Sequence, residues 1–336
     1  MKTDAILLDH GSGGKMAHNL ITDMMIPKFD NPILSQLHDG AIFNIEGQRL
    51  AFSTDTYVVD PIFFPGGCIG DLAVNGTVND LAMCGATPLY LSSGLIIEEG
   101  FSVTDLEKIL KMMSIAAEKA GVQIVTGDTK VVPKGAVDKI FINTSGIGRI
   151  PEDVDISSHK AHPGDKIILS GSIGDHGMAV LTQREGISFD SSITSDTAPL
   201  NHMVNKMLTA CPDIHVLRDP TRGGVATTLN EIAIQSNVGI RIYEETIPLK
   251  DHVAGICELL GFDPIYIANE GKLLAFVPPE YADIVLTVMR QDHLGEDAAI
   301  IGEVVSDTSG KVIMQTRIGG TRIIDMLTGD QLPRIC

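Results

Sequence analysis

The chain has 336 residues, and its 43 acidic and 25 basic side chains give a formal net charge of −18 and a sequence pI near 4.8. This length is typical of two domains that each bury a core of their own. The acidic balance excludes nucleic acid or an anionic membrane surface as the main partner, because phosphate neutralisation requires clustered Lys and Arg.

The cysteine pattern and the chain start indicate a reducing environment. Five cysteines are scattered with no C-x-x-C pair, which excludes a dense disulfide framework and a common zinc knuckle. The N-terminus lacks a signal-peptide core, and no apolar run approaches the ~20 residues of a membrane helix. We therefore expect a cytoplasmic protein with four core cysteines (Cys68, Cys84, Cys211 and Cys257) and a fifth, Cys336, at the chain end.

The first half alternates strand and helix patterns after a Gly-rich loop at 10–15. Its second helix has apolar residues at helical spacing and a cap at Ser102 or Thr104. In chain order we predict strands at 41–45 and 49–54, a helix at 70–84, a strand at 89–98, a helix at 103–117, and strands at 123–126 and 139–147.

A polar stretch over 149–162 is the best linker candidate, so we predict domains at 1–150 and 160–320 in an α/β (α+β) fold. Residues 321–336 are expected to form a flexible tail that carries Cys336. In the second half we predict a strand at 166–170, helices at 178–184, 199–210 and 224–236, a strand at 239–244, a helix at 252–260, a strand at 273–277, a helix at 279–291 and a strand at 298–305.

Five aspartates stand at strand ends and turns of the first half, each beside small or polar residues. Carboxylates that converge from strand ends suit Mg²⁺ with a polyphosphate. For any one of them, turn closure or helix capping is the more common role. The set is Asp39, Asp55, Asp71, Asp80 and Asp128.

Other motifs are individually less specific. Gly13, Gly14 and Lys15 can offer N–H groups and an ammonium to phosphates, although the loop matches neither a P-loop nor the dinucleotide fingerprint, and a flexible turn is as good an interpretation. Arg218 and Arg222 flank a Gly-Gly helix start and can hold an anion or form a salt-bridged turn.

The combined motifs resemble the HypE family of hydrogenase maturation factors. That family lies within the superfamily of aminoimidazole ribonucleotide synthetase, selenophosphate synthetase and thiamine-monophosphate kinase. The matching segments are HGSGGK (10–15), HDGA (38–41), STDT (53–56), GDLAVNGTVNDLAMCGATP (70–88), TGDTKVV (126–132), HPGDKIILSGSIGDHGMAVL (162–181), RDPTRGGVATTLNE (218–231) and the terminal PRIC.

The resemblance implies an N-terminal ATP-binding half-barrel, which is completed in a homodimer, and a C-terminal α/β sandwich. Asp39, Asp55, Asp80 and Asp128 would hold Mg²⁺ and the ATP phosphates. Asp71 and Asn79 would lie near them, and the Gly-rich loop with Lys15 would close over the phosphates.

The resemblance also implies the chemistry. Cys336 would receive a carbamoyl group from the carbamoyltransferase HypF, and ATP would drive its dehydration to a thiocyanate. The cyano group would pass to iron on a HypC–HypD complex, as a cyanide ligand of [NiFe]-hydrogenase. A base must remove the amide protons, and Glu270 and a carboxylate of the aspartate set are the candidates. Lys134 could assist by orienting the tail or lowering the pKa of the thiol.

Two features of the sequence differ from the pattern of the superfamily. No cysteine lies near the N-terminal Gly-rich loop, which argues against selenophosphate synthesis, and His38 stands where relatives often have a second Asp. Two alternatives stay open: a synthetase or kinase that acts on a small molecule, and a non-catalytic nucleotide-binding scaffold that presents the tail.

Overall fold

The computed structural model describes residues 4–29, 31–187, 193–329 and 331–336. The helices within these residues are α1 Lys15–Leu20, α2 Ile26–Phe29, α3 Ile69–Met83, α4 Val103–Ala120, α5 Asp175–Glu185, α6 Asn201–Ala210, α7 Gly224–Gln235, α8 Asp251–Leu260 and α9 Ala282–Arg290. A π-helical turn, Ile21–Met25, joins α1 to α2.

The strands of the same residues build two main sheets and one short ribbon. They are β1 Ala41–Ile45, β2 Gln48–Tyr57, β3 Phe63–Phe64, β4 Gly67–Cys68, β5 Thr87–Glu98, β6 Gln123–Val132, β7 Ile140–Arg149, β8 Lys166–Leu169, β9 Val216–Arg218, β10 Gly239–Tyr243, β11 Leu274–Val277, β12 Ala299–Val305, β13 Val312–Gln315 and β14 Thr321–Ile324.

The N-terminal sheet has the strand order β1-β2-β7-β5-β6. Its pairs are antiparallel except β5 with β6, which are parallel and joined through α4. Helices α3 and α4 pack on one another, and α3 also contacts β2 and β7. Nine of the ten residues of the edge strand β6 are exposed, with Val125 and Val131 more than half exposed, so this edge carries apolar surface.

The C-terminal sheet has the order β14-β13-β10-β12-β8-β11-β9. The short strands β9, β13 and β14 lie where no strand was predicted. The predicted tail, 321–336, begins with β14, which pairs antiparallel with β13. The described residues of that segment beyond Ile324 lie outside the sheet.

Helix α3 joins the two domains. All of its residues except Asp80 are buried. Its polar side chains find partners across the domain boundary: Asn75 Nδ2 donates to Thr197 Oγ1 (3.2 Å), Asn79 Nδ2 donates to the Ala198 carbonyl (3.1 Å), and Asn79 Oδ1 accepts the Leu200 N–H (2.8 Å). A buried amide must be paired, so these bonds hold residues 197–200 of the C-terminal domain against α3.

The predicted two-domain α/β fold is confirmed. Strand β1 has the predicted bounds, and helix α4 begins as predicted with Ser102 as its cap, whose side chain accepts the Asp105 N–H (3.3 Å). Among the helices that the structure describes, none is both long and apolar enough to cross a membrane.

Candidate active site

An acidic pocket of about 510 Å³ opens between the two domains. The N-terminal domain contributes the loop before β1, strand β2 and helix α3, and the C-terminal domain contributes the segment after β9 and helix α7. Two arginines and five carboxylates lie in its lining: Arg218 and Arg222 with Asp39, Asp55, Asp80, Asp219 and Glu231.

Three of these carboxylates converge at the base of the pocket. Asp39, Asp80 and Asp219 each offer an oxygen within 4.8 Å of the others. Ser53 Oγ donates to Asp80 Oδ2 (2.6 Å), and Arg218 Nε lies 2.8 Å from Asp39 Oδ1. Asp39 Oδ2 is buried and has no hydrogen-bond partner among the described residues.

The electrostatics of the pocket favour a bound cation. Burial raises the pKa of Asp39 to about 8 against the opposing effect of Arg218, and burial raises the pKa of Asp219 to about 6. The pKa of Asp80 is raised well above its usual range by burial and then by Asp219 and Asp55. A bound cation would supply the positive charge that these carboxyl groups need in order to ionise. Mg²⁺ suits this role, because it prefers oxygen ligands such as carboxylates.

Asp55 and His38 complete this part of the pocket. Asp55 lies on β2, and burial raises the pKa of its carboxyl while Arg222 opposes the rise. Burial and the neighbouring Arg218 lower the pKa of His38 to about 4, so its imidazole is neutral. His38 therefore adds no charge to the pocket.

Two of the residues predicted to bind the nucleotide form hydrogen bonds that stabilise the fold. Asp71 Oδ2 accepts the Cys68 N–H (2.8 Å) and closes a capping box at the start of α3. Both Nδ2 and Oδ1 of Asn79 are hydrogen-bonded to the segment after Asp196, as described above. Neither side chain lines the acidic pocket.

Asp128 is not part of the cluster within one chain. Its side chain is 69% exposed on edge strand β6 and pairs with Lys130 Nζ (2.6 Å). Register pairs Asp55 with Thr144, Thr144 with Ser93, and Ser93 with Gly127, the neighbour of Asp128. Three strand spacings of ~4.8 Å put the two aspartates roughly 14 Å apart across the sheet.

The Gly-rich loop lies against the C-terminal domain. A Cβ on Gly14 would come 2.3 Å from the Leu327 carbonyl oxygen, and Lys15 N donates to the same oxygen (2.9 Å). Gly13 has a φ of +77°, and a Cβ there would come 2.7 Å from Arg222 Cβ. Glycine is required at both positions for this close approach, and Lys15 is exposed.

The chain end is docked beside the acidic pocket. Val58 N donates to a main-chain oxygen of Cys336 (2.9 Å), and Asp60 N donates to the Arg334 carbonyl (3.1 Å). From the other domain, the buried His176 lies with Nε2 2.8 Å from the Ile335 carbonyl. Ile335 is 4% exposed and belongs to the hydrophobic core, so apolar burial and backbone pairing both hold the tail.

Arg222 lines both the acidic pocket and a smaller cavity, whose lining also includes Ile335 and Cys336. Its Nη1 donates to the Gly11 carbonyl (2.8 Å). The pKa of Arg222 is raised, first by negative charge at Cys336 and further by Asp55 and Glu270. One guanidinium thus interacts with the chain end, the pocket and the Gly-rich loop.

Glu270 and Lys134 have contrasting surroundings. Glu270 is 4% exposed, and burial followed by the charges of Asp55 and Asp219 raises its pKa well above the usual range. Its Oε1 finds no partner in the part of the chain that the structure describes, so it is free to exchange a proton. Lys134 is exposed in the β6–β7 loop, which also carries Asp138, the ion-pair partner of Arg334.

Sequence reasoning missed Asp219, His176 and Arg184. Asp219 directly follows β9, so the rule that picked Asp55 would have found it had this strand been predicted. His176 and Arg184 bind tail carbonyls, Arg184 through Nη2 to Arg334 (2.9 Å), and no local pattern signals such a role. Of the two interpretations open for Arg218, an anion ligand or an ion-paired residue, the structure shows ion pairs with Asp39 and Glu231.

Family profiles and curated relatives match almost the whole chain. AIR synthase related protein, N-terminal domain, matches residues 37–150, and the C-terminal domain of the same description matches 162–315. Carbamoyl dehydratase HypE of Rhizobium leguminosarum bv. viciae is 54% identical over 330 residues, which cover 98% of this chain and 94% of the relative. This chain belongs to the HypE family of carbamoyl dehydratases. The Escherichia coli K12 HypE is 45% identical over 98% of this chain and 99% of its own length.

Solved structures agree with the family. A HypE–HypF complex aligns with a TM-score of 0.88 at 51% identity and covers 92% of this chain and 99% of the matched chain. A hydrogenase maturation protein HypE in complex with ATP aligns with a TM-score of 0.84 at 53% identity, over 99% of this chain and 100% of the matched chain. Thiamine monophosphate kinase of Aquifex aeolicus, at 19% identity and a TM-score of 0.66 over 92% of this chain and 99% of the kinase, shares the fold.

The raised pKa values predict an unusual pH response of the metal-free protein. The native pKa of Asp39, about 8, exceeds the unfolded value of about 3.9. The native state therefore binds more protons between these values, and its stability falls as pH rises through that window. We expect the thermal midpoint in EDTA to fall between about pH 6 and about pH 8, and Mg²⁺ to suppress the fall.

Asp80→Asn is the matched variant, because it removes one charge from the cluster and should flatten the pH response in EDTA. A midpoint in EDTA that stays constant or rises over the same pH range would contradict the cluster electrostatics.

The close approach at Gly14 predicts a second outcome. Gly14→Ala should lower the free energy of unfolding by about 1–3 kcal/mol, because its Cβ meets a backbone oxygen that has to move. Gly11→Ala is the control, since no described atom lies within 4 Å of its Cβ position, and it should change stability by less than about 0.5 kcal/mol. Denaturant titration measures both, and equal effects would refute the tight contact.

Proposed function

We propose that this protein uses ATP to dehydrate a carbamoyl group on its own Cys336 to a thiocyanate. The docked tail carries the proposal: the last residue of the chain lines a small cavity whose wall, Arg222, is shared with the acidic pocket.

The acidic pocket is the proposed ATP site. Asp39, Asp80 and Asp219 would hold Mg²⁺ with Asp55 beside them, and the Gly13–Gly14 turn would meet the phosphates. Bound Mg²⁺ would neutralise charge on the transferring phosphoryl group. The solved HypE relative in complex with ATP supports this assignment.

The reaction must make the amide oxygen a leaving group. Attack of the carbamoyl oxygen on the γ-phosphorus of ATP forms an O–P bond and releases ADP. The C–O bond then breaks, phosphate leaves with that oxygen, and loss of the two nitrogen protons gives S–C≡N. Glu270 is suited to accept a proton, since its Oε1 is buried and unpaired in the described part of the chain, and its high pKa makes the carboxylate a stronger base.

Arg222 would stabilise negative charge between ATP and the thiol derivative, as oxyanion-stabilising groups do in other transferases. Lys134 shares its loop with Asp138, which pairs with Arg334 of the docked tail. In this position Lys134 can assist in orienting the tail.

The tail has to leave this site to meet other proteins. We propose that HypF in the cytoplasm supplies the carbamoyl group and that a HypC–HypD complex accepts the cyano group for the iron of [NiFe]-hydrogenase. The solved HypE–HypF complex supports the first partner. Residues 331–336 form no helix or strand, and only hydrogen bonds, one ion pair and the apolar side chains of Leu332 and Ile335 hold the docked tail. Release therefore breaks noncovalent contacts without unravelling a secondary-structure element.

We also propose a homodimer through the N-terminal sheet. Edge strand β6 exposes unpaired backbone and apolar side chains, and such an edge is a template for pairing with another chain. The strand that carries Asp128 would then lie at the subunit interface. This arrangement provides a route by which Asp128 reaches an ATP site that it does not approach within one chain.

Mass spectrometry of the intact protein tests the proposed reaction. After incubation with HypF, carbamoyl phosphate and ATP, the chain should gain one carbamoyl group and then lose the mass of one water. Peptide mapping should place both changes on Cys336, and Cys336→Ser should show neither. The four buried cysteines serve as internal controls and should stay unmodified.

The two alternatives give different results in this experiment. A small-molecule synthetase or kinase would keep full ATP turnover on its own substrate in Cys336→Ser. A scaffold would carry the carbamoyl group without losing water. Either result would overturn the proposal.

Glu270→Gln should separate binding from chemistry. Because glutamine keeps the shape but accepts no proton, water loss from carbamoylated Cys336 should slow by about 10²-fold or more, while ATP still binds. Glu258→Gln, on the exposed side of α8, is the control and should react at the normal rate. Normal water loss in Glu270→Gln would exclude Glu270 as the base.

A further inference from the structure

Two histidines and an aspartate meet on the C-terminal domain, outside the cleft. His162 and Asp165 belong to the His-Pro-Gly-Asp turn before β8, and His215 directly precedes β9. Strands β8 and β9 both pair antiparallel with β11, so they run in the same direction and begin at the same edge of the sheet. The topology therefore brings residues 50 positions apart in sequence to one place.

Their ligand atoms lie at the spacing of a metal centre. His215 Nδ1 lies 2.8 Å from Asp165 Oδ2, and His162 Nδ1 lies 3.3 Å from His215 Nδ1. Two ligand atoms that each lie about 2.1 Å from a tetrahedral ion are about 3.4 Å apart. The two histidine nitrogens are close to this separation, so they need to move little to bind the same ion.

The local packing holds these groups in place. The imidazole rings pack edge to face with centroids 4.6 Å apart, and Asp165 Oδ2 also accepts the His162 N–H (2.8 Å). Asp165 is 2% exposed, whereas His162 is on the surface, so the cluster has a fixed carboxylate and an open side. Only one proton can lie between two nitrogens at 3.3 Å, which leaves a lone pair directed into the cluster.

We propose that His162, Asp165 and His215 form a binding site for a borderline divalent transition ion such as Zn²⁺, with water in the remaining positions. Imidazole nitrogen with one carboxylate suits Zn²⁺ and Co²⁺, whereas the all-oxygen cluster of the cleft suits Mg²⁺. The site is independent of the proposed dehydration, because none of its three residues lines the acidic pocket.

Titration of the full chain with Co²⁺ in saturating Mg²⁺ tests this site. Bound Co²⁺ should give visible absorption of nitrogen and oxygen ligation, without the intense charge-transfer band of a thiolate such as Cys336. Zn²⁺ should displace it, and calorimetry then gives the Zn²⁺ affinity.

His162→Gln should weaken Zn²⁺ binding about tenfold or more, and so should His215→Gln; even outer-shell partners of a metal change affinity by about that factor. His293→Gln is the matched control, because His293 also lies beside an aspartate, Asp292 (3.3 Å), and is 82% exposed. Because His162 is a surface residue, its substitution leaves the fold intact. The Zn²⁺ affinity of His162→Gln is therefore sufficient to test the proposal. Unchanged Zn²⁺ binding in His162→Gln, or no Zn²⁺ binding to the unmodified chain, would overturn the proposal.

Discussion

The last three residues of the chain are held by hydrogen bonds from both domains, and the geometry of the cleft depends on this docking. Val58 and Asp60 of the N-terminal domain donate to main-chain oxygens of the tail, while His176 and Arg184 bind tail carbonyls from the C-terminal side. The buried Ile335 adds apolar contact. The chain terminus thus acts as a link between domains as well as the carrier of a thiol.

The acidic pocket beside this link is electrostatically unfavourable. Buried carboxylates with raised pKa values destabilise a protein whose cleft holds no cation, and such clusters persist where function requires them. Arg222 offsets part of that charge while it contacts the Gly-rich loop and interacts with Cys336. Cation binding, loop position and tail position are therefore physically coupled, because one guanidinium takes part in all three.

Local sequence patterns predicted much of the fold because they encode local physics. The amphipathic spacing of α4 and its Ser102 cap fixed that helix without tertiary information. Strands β9, β13 and β14 were missed because a run of three or four residues is only a weak strand signal, which sufficed for the equally short β8 and β11 but not for these three. Their pairing with distant strands is a long-range property.

The residues of the candidate site also divide into those that local sequence patterns predict and those that depend on long-range contacts. Asp39, Asp55 and Asp80 could be picked as converging strand-end and helix acids, whereas Asp219 depended on the missed strand β9. The local role of Asp71 as a capping residue was foreseeable, but the bonds of Asn79 to residues more than 100 positions away were not. The motifs identified the family, which the comparisons confirm, while tail docking required coordinates.

Hydrogen exchange at Val58 and Asp60 tests the docking most directly. Both amides donate to main-chain oxygens of the tail, so they should exchange slowly in the full chain and at least about tenfold faster in a chain that ends at Leu332. The Ala51 amide, in the middle of β2, should be unaffected and serves as the reference. Equal exchange of Val58 and Asp60 in the two chains would contradict a docked tail and, with it, delivery of Cys336 to the cleft.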